Sequence, residues 1–146
     1  MTHEEAMAKA REFRRDRPTN AHLHETEDER RLWEADYATR LQFEADFNEW
    51  LLQRTTAEGA DEAEDDKLFE REDELIQLIL TAPVPYEWMI FRKFEVATYC
   101  ITKHGEASWA ELFALQALDA IKADILRMGQ TRERELRRKF VKRAAA

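Results

Sequence analysis

Apolar residues recur at helical spacing along nearly the whole chain, and nowhere in sustained alternation. Residues 2–16 place Ala6, Met7, Ala10 and Phe13 on one stripe, and Pro18 ends the pattern, which predicts a short amphipathic helix. A helix of that length is marginal in water and needs a surface to lie on. Thr26 with Glu29 forms a capping box ahead of Leu32 and Trp33 and opens a long second helix over residues 27–55. Leu32, Phe43, Phe47 and Trp50 fall along one line of it; Trp33, Tyr37, Leu41 and Leu51 fall along an adjacent one. So wide an apolar arc requires at least two neighbours, one of which a second chain could supply.

Gly59 breaks the pattern, and a third helix over residues 61–81 collects Leu68, Phe69, Leu75, Ile76 and Ile79 on one face with Glu72 in its middle. The run Thr81-Ala82-Pro83-Val84-Pro85 ends it, since each proline disfavours helix in the residue before. Pro85 is expected at the first position of a fourth helix over residues 85–103, which Gly105 caps. Ser108 and Glu111 make a further capping box for a fifth helix that carries Trp109, Leu112, Phe113, Leu118, Ile121, Ile125 and Met128. Gly129 is expected to interrupt it, with residues 130–146 continuing as a separate basic segment that carries Leu136, Phe140 and Val141.

The pattern predicts an all-α fold, an antiparallel helical bundle of four main helices with short amphipathic terminal helices. Its expected divisions are residues 1–24 (helix and loop), 25–129 (bundle) and 130–146 (basic tail). Composition agrees: three Gly and three Pro in 146 residues leave few breakers, and strong helix formers dominate. Four Trp, eight Phe and three Tyr are more aromatic surface than one four-helix core absorbs easily, so a twofold homodimer is expected. No run of about 18 apolar residues occurs and the amino terminus lacks a secretion signal, so no membrane partner and a cytoplasmic location are expected.

The net charge of −8 conceals a gradient. Residues 25–80 hold 19 acidic against six basic side chains, whereas residues 130–146 hold seven basic against two acidic. The tail residues Arg132, Arg134, Arg137, Arg138, Lys139, Lys142 and Arg143 circle a helix and suit phosphate contact without sequence reading. They suit equally a dock on the chain's own acidic helices, or a sister chain's. The acidic run Asp61, Glu62, Glu64, Asp65 and Asp66 reads as a solvated helix start, or as a surface for a partner that normally binds nucleic acid.

Covalent chemistry finds little support. Arg92, Lys93 and Glu95 interrupt an apolar helix; Arg92 and Glu95 stand at i,i+3 and can satisfy each other. With Glu72 facing inward on the preceding helix, the four predict a buried polar seam, with Glu72 bridged to Arg92 or Lys93. No nucleophile or phosphate-binding loop accompanies them. The Glu-x-x-His of di-iron bundles is absent, and His22 and His24 lie in a loop with no further ligand in sight. The single cysteine, Cys100, has His104 at i+4, but its apolar neighbours oppose thiolate formation. No catalytic residue, metal or cofactor is assigned.

Residues 65–129 carry a layout of helix, Thr81-containing proline turn, a Lys93-x-Glu95 pair and a helix ending in Asp124-Ile125. This resembles small uncharacterised helical proteins encoded in bacterial prophage regions. The resemblance implies a phage or mobile-element origin and no activity. The leading expectation is a non-enzymatic structural or adaptor protein acting through helix-mediated protein–protein interaction. The alternatives are a nucleic-acid-associated protein using the basic tail, and an acidic inhibitor of a nucleic-acid-binding host or defence protein.

Overall fold

The structure is a computed structural model that describes residues 1–16, 25–56, 62–104 and 108–144; the side chains of residues 16, 55–56, 62–66, 103–104, 108–113 and 142–144 lie outside the description. Five helices account for these residues: α1 (His3–Asp16), α2 (Glu27–Thr56), α3 (Glu62–Thr81), α4 (Glu87–His104) and α5 (Ser108–Ala144). The fold is all-α, with no strand among the described residues. The chain divides into two compact units, Met1–Val84 and Pro85–Ala146.

In the first unit α1 runs antiparallel to the start of α2. Arg11 approaches Glu34 at 3.6 Å, while Arg14 contacts Glu25 and donates to the Arg30 carbonyl at 3.3 Å. Ala6 and Ala10 are buried, which lets the two helix backbones come close. Phe13 lies over Tyr37 at 4.8 Å between centroids, and Tyr37 lies over Trp33 at 5.2 Å, so three rings stack across the joint. Thr2 and Glu5 cap α1 reciprocally, with backbone–side-chain bonds of 2.8 and 3.2 Å, a capping box the sequence reading passed over. The one expected at Thr26 is present, Glu29 N–H donating to Thr26 Oγ1 at 3.2 Å.

The second half of α2 packs on α3. At 3.6 residues per turn, Phe43, Phe47 and Trp50 point almost opposite to Glu34 and Ala38, and all five are buried. The wide arc of α2 thus resolves into two short faces, one per neighbour along its length. Leu32 is on neither: it is 59% exposed, because Trp33 and Glu34 face α1 instead. Arg71 of α3 grips Glu49 of α2 through two hydrogen bonds of 2.8 and 2.9 Å and reaches Glu74 at 2.9 Å. That fork holds the Glu49 carboxyl below its usual range.

Asp46, one turn before Glu49, is pushed the other way, by burial and then by the Glu49 charge. Its folded form keeps a proton longer than its unfolded form, so this group lowers stability as pH rises from 3.8 through the raised value. Asp46→Asn should therefore gain roughly 0.2–0.5 kcal/mol at neutral pH. The gain should vanish in acid below 3.8, where Asp46 is protonated folded or unfolded. Urea unfolding at the two pH values measures both.

The second unit is a hairpin of α4 and α5, antiparallel because Glu87 meets Arg132 and Lys93 meets Asp124. Two expectations fail here. α4 begins at Glu87 rather than Pro85, its opening turn closed by Met89 N–H on the Tyr86 carbonyl at 3.1 Å. And α5 does not stop at Gly129 but runs on as one helix of 37 residues. A helix-interior glycine costs about 1 kcal/mol relative to alanine. Flanked by Arg127, Met128 and Gln130, and with no positive φ, Gly129 weakens the helix without ending it.

Candidate functional site

The inner face of the hairpin gathers charged side chains into an apolar seam. On α4, Met89, Ile90, Lys93, Val96, Ala97 and Cys100 are buried; on α5, Ala117, Ile121 and Asp124 are. Lys93 occupies the middle of the α4 stripe and Asp124 one edge of the α5 stripe, so the helix geometry brings an ammonium and a carboxylate into the same apolar seam. Lys93 Nζ lies 2.6 Å from Asp124 Oδ2, and Arg127 contacts Oδ1 from the next turn of α5. Both side chains of the pair are essentially inaccessible. Burial pulls the Lys93 ammonium below its ordinary pKa, and the Asp124 carboxylate partly restores it.

Sequence reasoning named Lys93 as part of a buried polar seam and missed its partner. The signal was present, since Asp124 continues the 117–121–124–128 spacing of the packed face. Two other expected members, Arg92 and Glu95, fall elsewhere. Arg92 and Glu95 do pair with each other, at 3.1 Å, on the exposed side of α4. Glu72 is half-buried on α3, in the first unit. Of the four positions in the prophage-type layout, the fold brings Lys93 and Asp124 together, whereas Thr81 closes α3 with its hydroxyl on the Gln77 carbonyl at 2.6 Å. Glu34 is a further buried carboxylate that the sequence reading passed over; Arg11 at 3.6 Å and Arg30 at 4.0 Å attend it.

A buried, charge-compensated pair is positioned to hold two helices in register. Among the described residues, no group of three or more His, Cys, Asp or Glu side chains is placed to hold a metal ion. Cys100 is buried among apolar neighbours; the His104 side chain, and the loop with His22 and His24, lie outside the described residues. No protein-family model, curated protein or solved structure matches this chain.

Much of what the hairpin presents outward is apolar. On α4, Phe91 is 68% exposed opposite Lys93, and the exposed Phe94 and Ile101 lie on the flank between them. On α5, Leu115, Leu118, Ile125, Leu126, Leu136 and Phe140 are all more than half exposed. Isolated surface leucines need no explanation, but exposed apolar side chains recurring at helical spacing on two neighbouring helices do. α4 starts opposite Arg132, so the following three turns or so of α5 run past the end of their hairpin partner. There the continued inner face turns polar, with Arg132, Glu135 and Lys139 replacing apolar side chains, and every residue from Gly129 to Val141 is exposed.

The basic tail expected from sequence is therefore the far end of α5, with Arg132, Arg134, Arg137, Arg138 and Lys139 on its surface; the side chains of Lys142 and Arg143 lie outside the described residues. Arg132 contacts Glu87, and Arg137 pairs with Glu133 at 2.8 Å. The candidate acidic surface cannot be followed in the same way, because Asp61 and the side chains of Glu62, Glu64, Asp65 and Asp66 lie outside the described residues. No helix among the described residues is long and apolar enough to cross a membrane.

Proposed function

We propose that this chain is a non-enzymatic structural or adaptor protein of the cytoplasm, encoded by a phage or mobile element, that works by helix-to-helix contact with other protein, its own copies first. The observation that carries this reading is the exposed apolar side of the α4–α5 hairpin, left over after the inner faces of both helices are packed. Exposed patches of that kind mark interaction sites. The titratable groups buried in the hairpin are used up in holding its register. At micromolar concentration, light scattering should give twice the 17.3 kDa chain mass. A mass of one chain throughout the micromolar range would defeat the reading.

One observation favours a second reading, in which the tail touches nucleic acid. The end of α5 stands clear of α4 and carries basic groups on all sides. Labelled duplex should then bind with an affinity that falls steeply as salt rises, and removal of residues 130–146 should abolish binding. Binding that survives the truncation would remove the tail from consideration.

A further inference from the structure

The outer stripe of α5 has an internal symmetry that the hairpin itself does not use. Its positions, at helical spacing, are Leu118, Lys122, Ile125, Gly129, Glu133, Leu136 and Phe140, and all are exposed. The steps between them are four, three, four, four, three and four, which reads the same from either end with Gly129 at the centre. A second α5 laid antiparallel across the first, with the twofold axis at Gly129, therefore matches stripe to stripe. Leu118 meets the other copy's Phe140, Lys122 its Leu136, and Ile125 its Glu133. A self-matching surface of this kind is what a twofold dimer requires.

Three observations select this occupant. The first is charge. Residues 108–128 of α5 carry three acidic and two basic side chains, and residues 130–144 carry seven basic and two acidic. Parallel association would lay two strongly basic ends side by side; antiparallel association sets each beside the other copy's slightly acidic half. Within the stripe, Lys122 and the other copy's Glu133 lie one turn apart across the joint, close enough to pair twice by symmetry. The second is Gly129. A Cβ added there meets nothing within 4 Å, so no contact inside the chain excludes a side chain in the middle of an exposed helix. A glycine at the crossing point lets two helix backbones approach closely. The third is area. The apolar side chains of the stripe, with Leu115 and Leu126 beside it, expose an area of the order of the ~800 Å² that each partner brings to a standard interface.

We infer that α5 is a self-docking helix: two chains associate antiparallel along Leu118–Phe140, crossing at Gly129, with reciprocal Lys122–Glu133 pairs. This rests on the proposed contact function and names its surface and its partner.

The test uses two charge-reversal chains, Lys122→Glu and Glu133→Lys, with sedimentation equilibrium alone and as an equimolar mixture. Each alone brings like charges together at both symmetric contacts and should dimerise about tenfold or more weakly than the parent. In the mixture, the glutamate introduced into one chain faces the lysine introduced into the other, while the native pair forms at the second contact. The mixture should therefore recover dimers. Both sites are exposed, so far-UV circular dichroism should be unchanged. As a second variant, Gly129→Leu should raise helicity and yet abolish dimerisation, because two leucines then collide at the crossing. A parent dimer that neither reversal nor Gly129→Leu weakens would overturn the α5 surface and leave the contact function standing. A parent that never dimerises overturns both.

Discussion

Lys93→Met should lower the unfolding free energy by about 3–5 kcal/mol, the usual penalty for removing one member of a buried ion pair. Methionine is as long as lysine and apolar, so the loss comes from the Asp124 carboxylate, left in an apolar seam without the ammonium that faces it. Lys93→Met combined with Asp124→Leu should recover most of that loss, since replacing a whole buried pair by apolar groups is often neutral or better. Urea unfolding of the parent, both single variants and the double variant gives the coupling energy directly. Additive losses would show that the pair does not act as a unit. A pH dependence accompanies this. Burial lowers the folded-state pKa of Lys93, so below 10.5 the unfolded chain holds this proton more tightly. For this group stability rises as pH climbs from the lowered value to 10.5, and that contribution should be missing from the double variant.

Trp50→Ala should cost about 3–5 kcal/mol, the largest loss expected of any apolar substitution in the first unit. Trp50 is 1% exposed, touches Phe47 ring to ring at 5.6 Å between centroids, and carries the Arg54 guanidinium 4.8 Å above its ring. Truncation removes the transfer free energy of the indole, opens a cavity beside Phe47 and strands the guanidinium without its ring. Leu32→Ala, on the same helix, should change stability by less than about 0.5 kcal/mol, because Leu32 is already mostly in water. Thermal unfolding of the two variants checks the contrast, and equal losses would mean that the burial pattern of α2 is wrong.

The contrast between Trp50 and Leu32 shows what a helical wheel can and cannot deliver. Both lay on one predicted line. Over 30 residues, however, α2 changes neighbours, and its packed face moves almost to the opposite side between Glu34 and Trp50. A wheel averages over the whole helix and cannot see the switch. Gly129 teaches a related lesson. Local propensity marks it as a weak point, but a single glycine among strong helix formers costs too little to end a helix. The Arg92–Glu95 pair was legible because both partners lie on one helix at fixed spacing. The spacing of α5 put Asp124 on its packed face, but not against Lys93, because that pairing spans 31 residues and depends on the register of two helices.

The amino-acid pattern alone determined the all-α class, most of the helix ends and the position of Lys93 on a buried face. These follow from periodicity, caps and breakers, which act within a few residues. Only the tertiary structure decided which acid neutralises Lys93, which side of α2 is buried at each point, and that the end of α5 leaves its hairpin partner with an apolar stripe still uncovered. Those outcomes depend on how helices dock, and docking is set by distances between residues far apart in the chain.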